Sequence, residues 1–165
     1  MDVCLEPYNG EQEQACSLIQ GFWKAHNDWM PTLAEALSDL QNWTAEGHRF
    51  YFVMSGDTYL GFVHLGSRGC EIDWLEDLFI LPEYQGQGIG SRVITLVEEI
   101  VKGYSESLYI EAAVRNTGAI RLYHRAGYDV LNTVTLRKDF QPETHETVRE
   151  ESLQALPFRI RYRKT

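Results

Sequence analysis

Apolar and polar residues recur along the first half of the chain with two periods, one typical of helices and one typical of strands. Apolar residues at helical spacing over residues 15–23 predict a helix, with Asn9 as its cap. Thr32 and Glu35 form a capping box, which predicts a second helix over about residues 33–42. Strands are expected at residues 3–6, 49–54, 59–65 and from about residue 71, the last three as an antiparallel meander.

The middle of the chain predicts a strand, a turn and a helix in succession. Apolar residues 78–81 end at Pro82, which cannot donate to a β-ladder and therefore closes the strand. From Ser91 onward, apolar residues return at three- and four-residue steps, which indicates an amphipathic helix ending near Gly103.

The last third of the chain alternates between strand-like and helix-like segments. Residues 108–114 are expected to form a strand, followed by a short helix between an Asn116 N-cap and Gly127. Further along, we expect a strand at residues 130–140, a helix at 143–155 and a final strand at 158–163. The whole chain is expected to be one α/β domain over residues 1–165.

Composition narrows the class of protein. Among 165 residues, 44% are hydrophobic and the formal net charge is −9, which disfavours sequence-independent binding to nucleic acid. The acidic N-terminus does not resemble a signal peptide, and no apolar run approaches the ~20 residues that span a membrane. Cys4, Cys16 and Cys70 are expected as free thiols in the cytoplasm, most simply as small buried residues. The histidines lack ligand spacing, so no metal is expected, and His64 is expected to be structural.

Glycines at positions 86, 88 and 90 open the helix that follows the middle strand. Backbone N–H groups at such a turn, together with the helix dipole, suit a phosphate. The P-loop motif fails because no Lys follows the glycines, and the dinucleotide motif fails because Ser91 stands where its third Gly belongs. Residues 85–90 do match the pattern Q/R-x-x-G-x-G/A.

Together with a second motif, this loop resembles the GNAT superfamily of acetyl-CoA-dependent N-acetyltransferases. Residues 116–128 match N-x-x-A-x-x-L-Y-x-x-x-G-[FY], and the resemblance covers about residues 71–128. It implies a mostly antiparallel sheet of about 6–7 strands flanked by about 4–5 helices, with a parallel strand pair around the cofactor and a C-terminal strand returning beside it. It also implies direct acetyl transfer from acetyl-CoA to a primary amine of a small molecule or peptide.

The resemblance assigns roles to particular residues. The backbone at the end of the middle strand would bind the pantetheine arm, the loop would bind the pyrophosphate, and Tyr123 would protonate the departing thiolate. The implied cofactor residues are Leu78, Phe79, Ile80, Gln85, Gly86, Gln87, Gly88, Ile89, Gly90, Ser91, Asn116 and Tyr123. The alternative for Tyr123 is a packed aromatic, and the alternative for Asn116 is a helix cap.

A base is also needed, because an alkyl amine of pKa ~10.4 is only about 0.04% neutral at pH 7. Glu76, Asp77 and Glu111 are candidates, and strand parity predicts that Glu76 and Asp77 point to opposite faces. Glu111, which resembles a carboxylate often found there in the family, and Glu76 are favoured. Water chains, or pairing of these carboxylates with a nearby Arg or Lys, remain open.

The acceptor is expected to be a cationic amine, because carboxylates beside aromatic rings suit an ammonium. The residues expected to border it are Asp28, Glu76, Asp77, Glu111, Trp23, Trp29 and Trp74. Trp29 is expected to pack into the core rather than to contact substrate. The rival function is a non-catalytic acyl-CoA-binding sensor on the same scaffold, and the sequence leaves both monomer and homodimer open.

Overall fold

The computed structural model describes residues 2–164, which form four α-helices and seven β-strands. The helices are α1 (Gln12–Asn27), α2 (Leu33–Trp43), α3 (Ile89–Val101) and α4 (Thr117–Arg125). The strands are β1 (Cys4–Pro7), β2 (His48–Ser55), β3 (Thr58–Gly66), β4 (Trp74–Ile80), β5 (Tyr109–Ile110), β6 (His145–Leu153) and β7 (Leu156–Arg163). The predicted class, a mixed α/β protein with mostly antiparallel strands, is confirmed.

The chain divides into two compact units, Met1–Glu111 and Ala112–Thr165. The first contains a five-stranded sheet in the order β1-β2-β3-β4-β5, in which only β4 and β5 run parallel. The meander of β2, β3 and β4 and the parallel pair are therefore confirmed. The single domain over residues 1–165 stays a prediction.

The core of the first unit is built from aromatic side chains of the sheet and the apolar faces of α1 and α2. Phe62 is fully buried and stacks on Phe50 with ring centroids 5.0 Å apart, while Phe22 from α1 meets Phe62 edge-on at 5.7 Å. The capping box at Thr32 is present, because Glu35 N–H donates to its hydroxyl and the Glu35 carboxylate accepts from the Thr32 N–H. The predicted start of α2 is confirmed.

A β-bulge interrupts β4 at Glu76. His64 pairs with Asp77 and Leu65 pairs with Leu75, so Glu76 is the extra residue. Asp77 contacts His64, and the Glu76 side chain lies 2.9 Å from where a Cβ on Gly66 would stand. His64 and Gly66 share one face of β3, so Glu76 and Asp77 lie on the same face and the parity prediction was wrong. The bulge is the reason, because it breaks the two-residue period.

The second unit departs most from prediction. The expected helix at 143–155 is a 3₁₀ turn (Pro142–Thr144) followed by β6, which pairs antiparallel with β7. Gln154 and Ala155, both in the left-handed region, form the hairpin turn. Strand pairing outweighs the helix propensity of the charged residues there. The expected C-terminal strand is present as β7, but its ladder partner is β6 rather than β5.

Several local expectations also need correction. Residues 130–140 contain no assigned strand, and the expected strand at 108–114 is reduced to Tyr109–Ile110. Glu11, not Asn9, holds the N-cap position of α1, and its side chain makes no capping hydrogen bond to the helix. The Asn9 N–H donates to the Glu11 carboxylate instead. Trp29 is 47% exposed rather than buried in the core.

The three cysteines are free thiols, as expected, but only Cys16 is buried, while Cys4 and Cys70 are exposed. The expectation of buried residues was therefore wrong for Cys4, at the start of β1, and for Cys70, in the loop between β3 and β4. Across residues 2–164, no helix is long and apolar enough to cross a membrane.

Candidate active site

Strand β4 continues well beyond its parallel partner. The β4–β5 ladder consists of the pairs Trp74–Tyr109 and Leu75–Ile110, whereas β4 extends to Ile80. Within the described part of the first unit, the edge of β4 after Leu75 therefore has no ladder partner on the β5 side. Its unpaired backbone groups can hydrogen-bond an extended ligand as an added strand would. Leu78, Phe79 and Ile80 lie on this stretch, although Phe79 and Ile80 have buried side chains.

The loop after β4 is shaped by two glycines in the left-handed region. Gly86 has φ +72° and Gly88, the N-cap of α3, has φ +79°. Gln85 anchors the loop to the strand, because its side-chain amide donates to the carbonyl of Ile80 at 2.8 Å. Gln87 similarly donates to the carbonyl of Glu83 at 3.1 Å.

The N-terminus of α3 is open toward solvent. Its first backbone bond runs from Arg92 N–H to the Gly88 carbonyl at 3.1 Å, so the N–H groups of residues 88–91 lack partners within the helix. A Cβ atom built on Gly86 or Gly88 would have no described atom within 4 Å beyond the glycine and its two chain neighbours. The first turn of α3 contains no acidic residue, and Arg92 is the charged residue beside it. No carboxylate there neutralises the positive end of the helix dipole. This geometry suits a phosphate group.

Where the β4–β5 ladder ends, two carboxylates are bridged by one arginine. Arg68 donates through Nε and Nη2 to the two oxygens of Glu76, at 3.1 and 2.9 Å. Its Nη1 donates to Glu111 at 2.7 Å, and its guanidinium lies 3.6 Å from the centroid of Trp74, which stacks on Tyr109. The two carboxylates raise the pKa of Arg68 above its usual range. Both favoured bases, Glu76 and Glu111, are thus paired with an arginine, which was the alternative left open by the sequence.

A second polar cluster lies beside this one and joins two histidines to Asp77. Nδ1 of His64 lies 2.8 Å from Oδ2 of Asp77, and Nε2 of His64 lies 2.8 Å from Nδ1 of His48. His64 is 3% exposed and stacks on Trp43 of α2, with ring centroids 4.9 Å apart. Its structural role is confirmed. Burial, and next the charge of His64, lower the pKa of His48, while Glu76 acts in the opposite direction.

His48 is a residue that sequence reasoning missed. It has no motif context, and its relation to His64 depends on the β2–β3 register, in which His48 faces Gly66 and Phe50 faces His64. The one sequence signal is that His64 falls in a predicted strand and His48 directly precedes the neighbouring one, which places them close together only once the hairpin register is known.

The remaining predicted acceptor residues group at the end of α1. Asp28 pairs with Lys24 at 2.5 Å and its side chain is 90% exposed. Trp23 donates through its indole N–H to Asp39 at 2.8 Å and meets Trp29 edge-on at 6.3 Å. Asp28 and Trp29 are exposed, whereas Trp23 is half-buried and packs against the core.

The two remaining site candidates lie in the second unit, on α4. Asn116 is the N-cap of this helix, and its side chain accepts from Ala119 N–H at 3.1 Å, so its capping role is confirmed. Gly127 follows the helix with φ +99°, as expected for a C′ glycine. Tyr123 is half-buried and meets Tyr128 edge-on, with ring centroids 6.1 Å apart. Among residues 2–164, no cluster of His, Cys, Asp or Glu is arranged to hold a metal ion.

Sequence comparison places this chain among known acetyltransferases. The model of the acetyltransferase (GNAT) family matches residues 14–128. The ribosomal protein bS18-alanine N-acetyltransferase of Escherichia coli strain K12 is 33% identical over 71 residues, which cover 42% of this chain and 46% of that relative. The spermine/spermidine N(1)-acetyltransferase of Bacillus subtilis strain 168 is 35% identical over 57 residues, which cover 33% of this chain and 38% of that relative. These alignments span less than half of either relative.

Solved structures share the fold at low sequence identity. The structure of AAC(6')-Iy in complex with the bisubstrate analogue CoA-S-monomethyl-acetylneamine has a TM-score of 0.65 and 17% identity, covering 84% of this chain and 99% of that one. An acetyltransferase from Thermus thermophilus has a TM-score of 0.61 and 20% identity, covering 77% of this chain and 86% of that one.

Proposed function

Because the chain belongs to the GNAT family of acetyltransferases, we propose that it transfers an acetyl group from acetyl-CoA to a primary amine of a small molecule or peptide, as one domain over residues 1–165. The observation that carries the proposal is the free edge of β4 leading directly into a glycine loop and the open N-terminus of α3. An extended arm that ends in a pyrophosphate requires these two features in this order.

Acetyl-CoA would use the backbone of the first unit for most of its binding. The pantetheine arm would pair with Leu78, Phe79 and Ile80 along the free edge, where one N–H would also polarise the thioester oxygen. The pyrophosphate would take the N–H groups of the loop at residues 85–91. Asn116 would add a contact to the arm while it caps α4.

The reaction would be a direct attack. The lone pair of the neutral amine forms a bond to the thioester carbon, and the tetrahedral intermediate collapses by breaking the bond to sulfur. Tyr123 would donate its phenolic proton to the departing thiolate and recover it from solvent. A phenol of pKa ~10 serves a thiol of pKa ~8.5 only where the site stabilises the phenolate or the intermediate supplies the driving force.

The carboxylates where the β4–β5 ladder ends support a cationic acceptor. Glu76 and Glu111 share one guanidinium and Asp77 adjoins them, so the group carries a formal excess of negative charge. Arg68 already binds there as a cation over an indole ring, which is the chemistry that an ammonium requires. Glu111 and Glu76 keep their proposed role as bases for the first proton, which the bound ammonium must lose to become a neutral amine. Each would then exchange its contact with Arg68 for one with the amine.

The relatives' names agree with this chemistry, since one acts on spermine and spermidine and the other on the alanine amine of a protein. The rival function, an acyl-CoA sensor without turnover, uses the same binding surface and differs only in the second substrate.

The test compares Tyr123→Phe with wild type and with a matched control, Tyr59→Phe, which removes a hydroxyl from β3. We expect Tyr123→Phe to lower kcat about 10²–10⁴-fold with little change in acetyl-CoA affinity, since the ring is kept and the proton-donating hydroxyl is lost. Tyr59→Phe should match wild type in both. An unchanged kcat would make Tyr123 a packing residue, and wild-type binding of acetyl-CoA without turnover of any amine would favour the sensor.

A further inference from the structure

We propose that His48 accepts the proton that the neutral acceptor amine releases as it attacks the thioester, and that His64 and Asp77 position His48 by fixing its tautomer. The inference rests on the proposed function for the location of the reaction and concerns residues that no motif of the chain assigns. It starts from the hydrogen-bonded chain of Asp77, His64 and His48, in which both links measure 2.8 Å.

The chain of hydrogen bonds determines which nitrogen of His48 is basic. An ionised Asp77 can only accept a hydrogen bond, so Nδ1 of His64 carries the proton of that ring. Nε2 of His64 is then unprotonated and has a lone pair. That lone pair must accept from His48, so Nδ1 of His48 carries its proton and Nε2 of His48 is left as the acceptor. His64 is buried and its ring is held by stacking on Trp43, so this arrangement is fixed by the fold.

The cluster begins where the reaction is expected. Asp77 is the residue of β4 just past the bulge, at the start of the edge that β5 leaves free. His48 approaches the same place through Gly66, since a Cβ at that glycine would lie 3.3 Å from Nδ1 of His48 and 2.9 Å from Cγ of Glu76. The absence of a side chain at Gly66 lets His48 and Glu76 be neighbours.

For the proton released during the attack, His48 is a better base at neutral pH than the two carboxylates beside it. Glu76 and Glu111 each share Arg68, and proton uptake by either would leave the guanidinium with one fewer counter-charge. Proton transfer is most efficient when the pKa of the base lies near the operating pH, which imidazole satisfies and a carboxylate does not. His48 needs no exchange of partners, and its lowered pKa keeps it neutral and ready to accept.

Charged and titratable groups lie near His48 on its own strand and on the next two. Arg49 of β2 donates through Nη1 to the His48 carbonyl at 2.9 Å. His64 lies on β3 with Asp77 beyond it, Glu76 lies on β4, and Arg68 in the loop between those strands binds Glu76. From α2, the uncharged Trp43 stacks on His64. When Nε2 of His48 takes the proton from the amine, Nδ1 of His48 can transfer the proton it already carries to Nε2 of His64. The positive charge then lies on His64, next to Asp77.

In the proton balance of one turnover, Glu76 or Glu111 first takes one proton from the bound ammonium and later returns it to solvent. The N–H bond of the neutral amine then breaks as the N–C bond forms, and that second proton goes to Nε2 of His48, directly or through one water. The thiolate takes a separate proton from Tyr123. His48 is half-buried, so it can return its proton to solvent before the next cycle.

The experiment records kcat/KM against pH for wild type, His48→Gln and a matched control, His145→Gln, whose ring contacts Thr144 instead. We expect the wild-type acidic limb to lie below the ordinary imidazole pKa of about 6.5. His48→Gln should lose about 10²–10⁴-fold in kcat, and its acidic limb should move into the carboxylate range. His145→Gln should follow wild type.

Two further measurements separate catalysis from structure. Added imidazole should restore at least tenfold activity to His48→Ala, which loss of a packing contact would not allow. Asp77→Asn should shift the acidic limb while acetyl-CoA affinity stays within about twofold of wild type. If the wild type turns over and His48→Gln has the same pH profile, the role of His48 as proton acceptor is refuted and the proposed function is not. Absence of turnover in the wild type refutes the proposed function and the role of His48 together.

Discussion

Replacing Gly61 by Ala should destabilise the protein because two strand backbones meet there without room for a side chain. Gly61 on β3 pairs with Ile80 on β4. A Cβ at Gly61 would overlap the Phe79 carbonyl oxygen, with 2.9 Å to the carbonyl carbon and 3.0 Å to Cα of Ile80. These are backbone atoms, so no rotamer change can relieve the overlap, and β4 must move at the edge where the pantetheine arm is proposed to bind.

The magnitude follows from the cost of overpacking, which is about 1–3 kcal/mol in a well-packed site. Because the overlapping atoms belong to the backbone of β4, we place the cost of Gly61→Ala near the upper end of this range. Alanine also lowers the conformational entropy of the unfolded chain, which offsets only about 0.4–1 kcal/mol of that cost. A net loss of about 2–3 kcal/mol corresponds to a fall in Tm of about 4–12 °C for a chain of this size.

Urea denaturation and a thermal melt would measure this loss, with Gly118→Ala as the contrast. A Cβ at Gly118 lies 3.8 Å from Oδ1 of Asn116, an ordinary contact within α4. That variant should be neutral or gain up to about 1 kcal/mol. If the free energy of unfolding of Gly61→Ala stays within about 0.5 kcal/mol of wild type, β3 and β4 do not approach each other this closely at Gly61.

Two other predictions concern the ligands. Gly88→Val should weaken acetyl-CoA binding measured by calorimetry, because Gly88 has φ +79° and a branched side chain there would strain the loop and fill the space proposed for the pyrophosphate; equal affinity would contradict the loop assignment. Spermidine or an aminoglycoside should show a higher kcat/KM than an acidic amino acid, and raising the salt should lower it, because a net charge of −9 and the carboxylates around Arg68 attract cations. Preference for the acidic amine, or indifference to salt, would contradict a cationic acceptor.

Local signals predicted the first half of the fold well. The Thr32 capping box, the meander of β2 to β4 and the glycine turn before α3 each depend on residues adjacent in sequence, and each is confirmed. The same holds for the Asn116 cap of α4, whose side chain bonds three residues ahead.

Predictions that depended on contacts distant in sequence were wrong or incomplete. Residues 145–153 carry charges typical of a surface helix, but their pairing with β7 determines their conformation. The bulge at Glu76 follows from the register between β3 and β4, which no local pattern specifies. The partnership of Glu76 and Glu111 with Arg68, and of His48 with His64, likewise appears only once the strands are paired.

The central claim is that the protein moves an acetyl group from acetyl-CoA to an amine nitrogen. The most direct measurement is mass spectrometry of spermidine after incubation with the protein and acetyl-CoA that carries an isotopic label in its acetyl group. We predict labelled N-acetylspermidine in amounts equal to the CoA released, with formation much slower for Tyr123→Phe. Binding of acetyl-CoA without labelled product from spermidine, an aminoglycoside or a peptide N-terminus would contradict it.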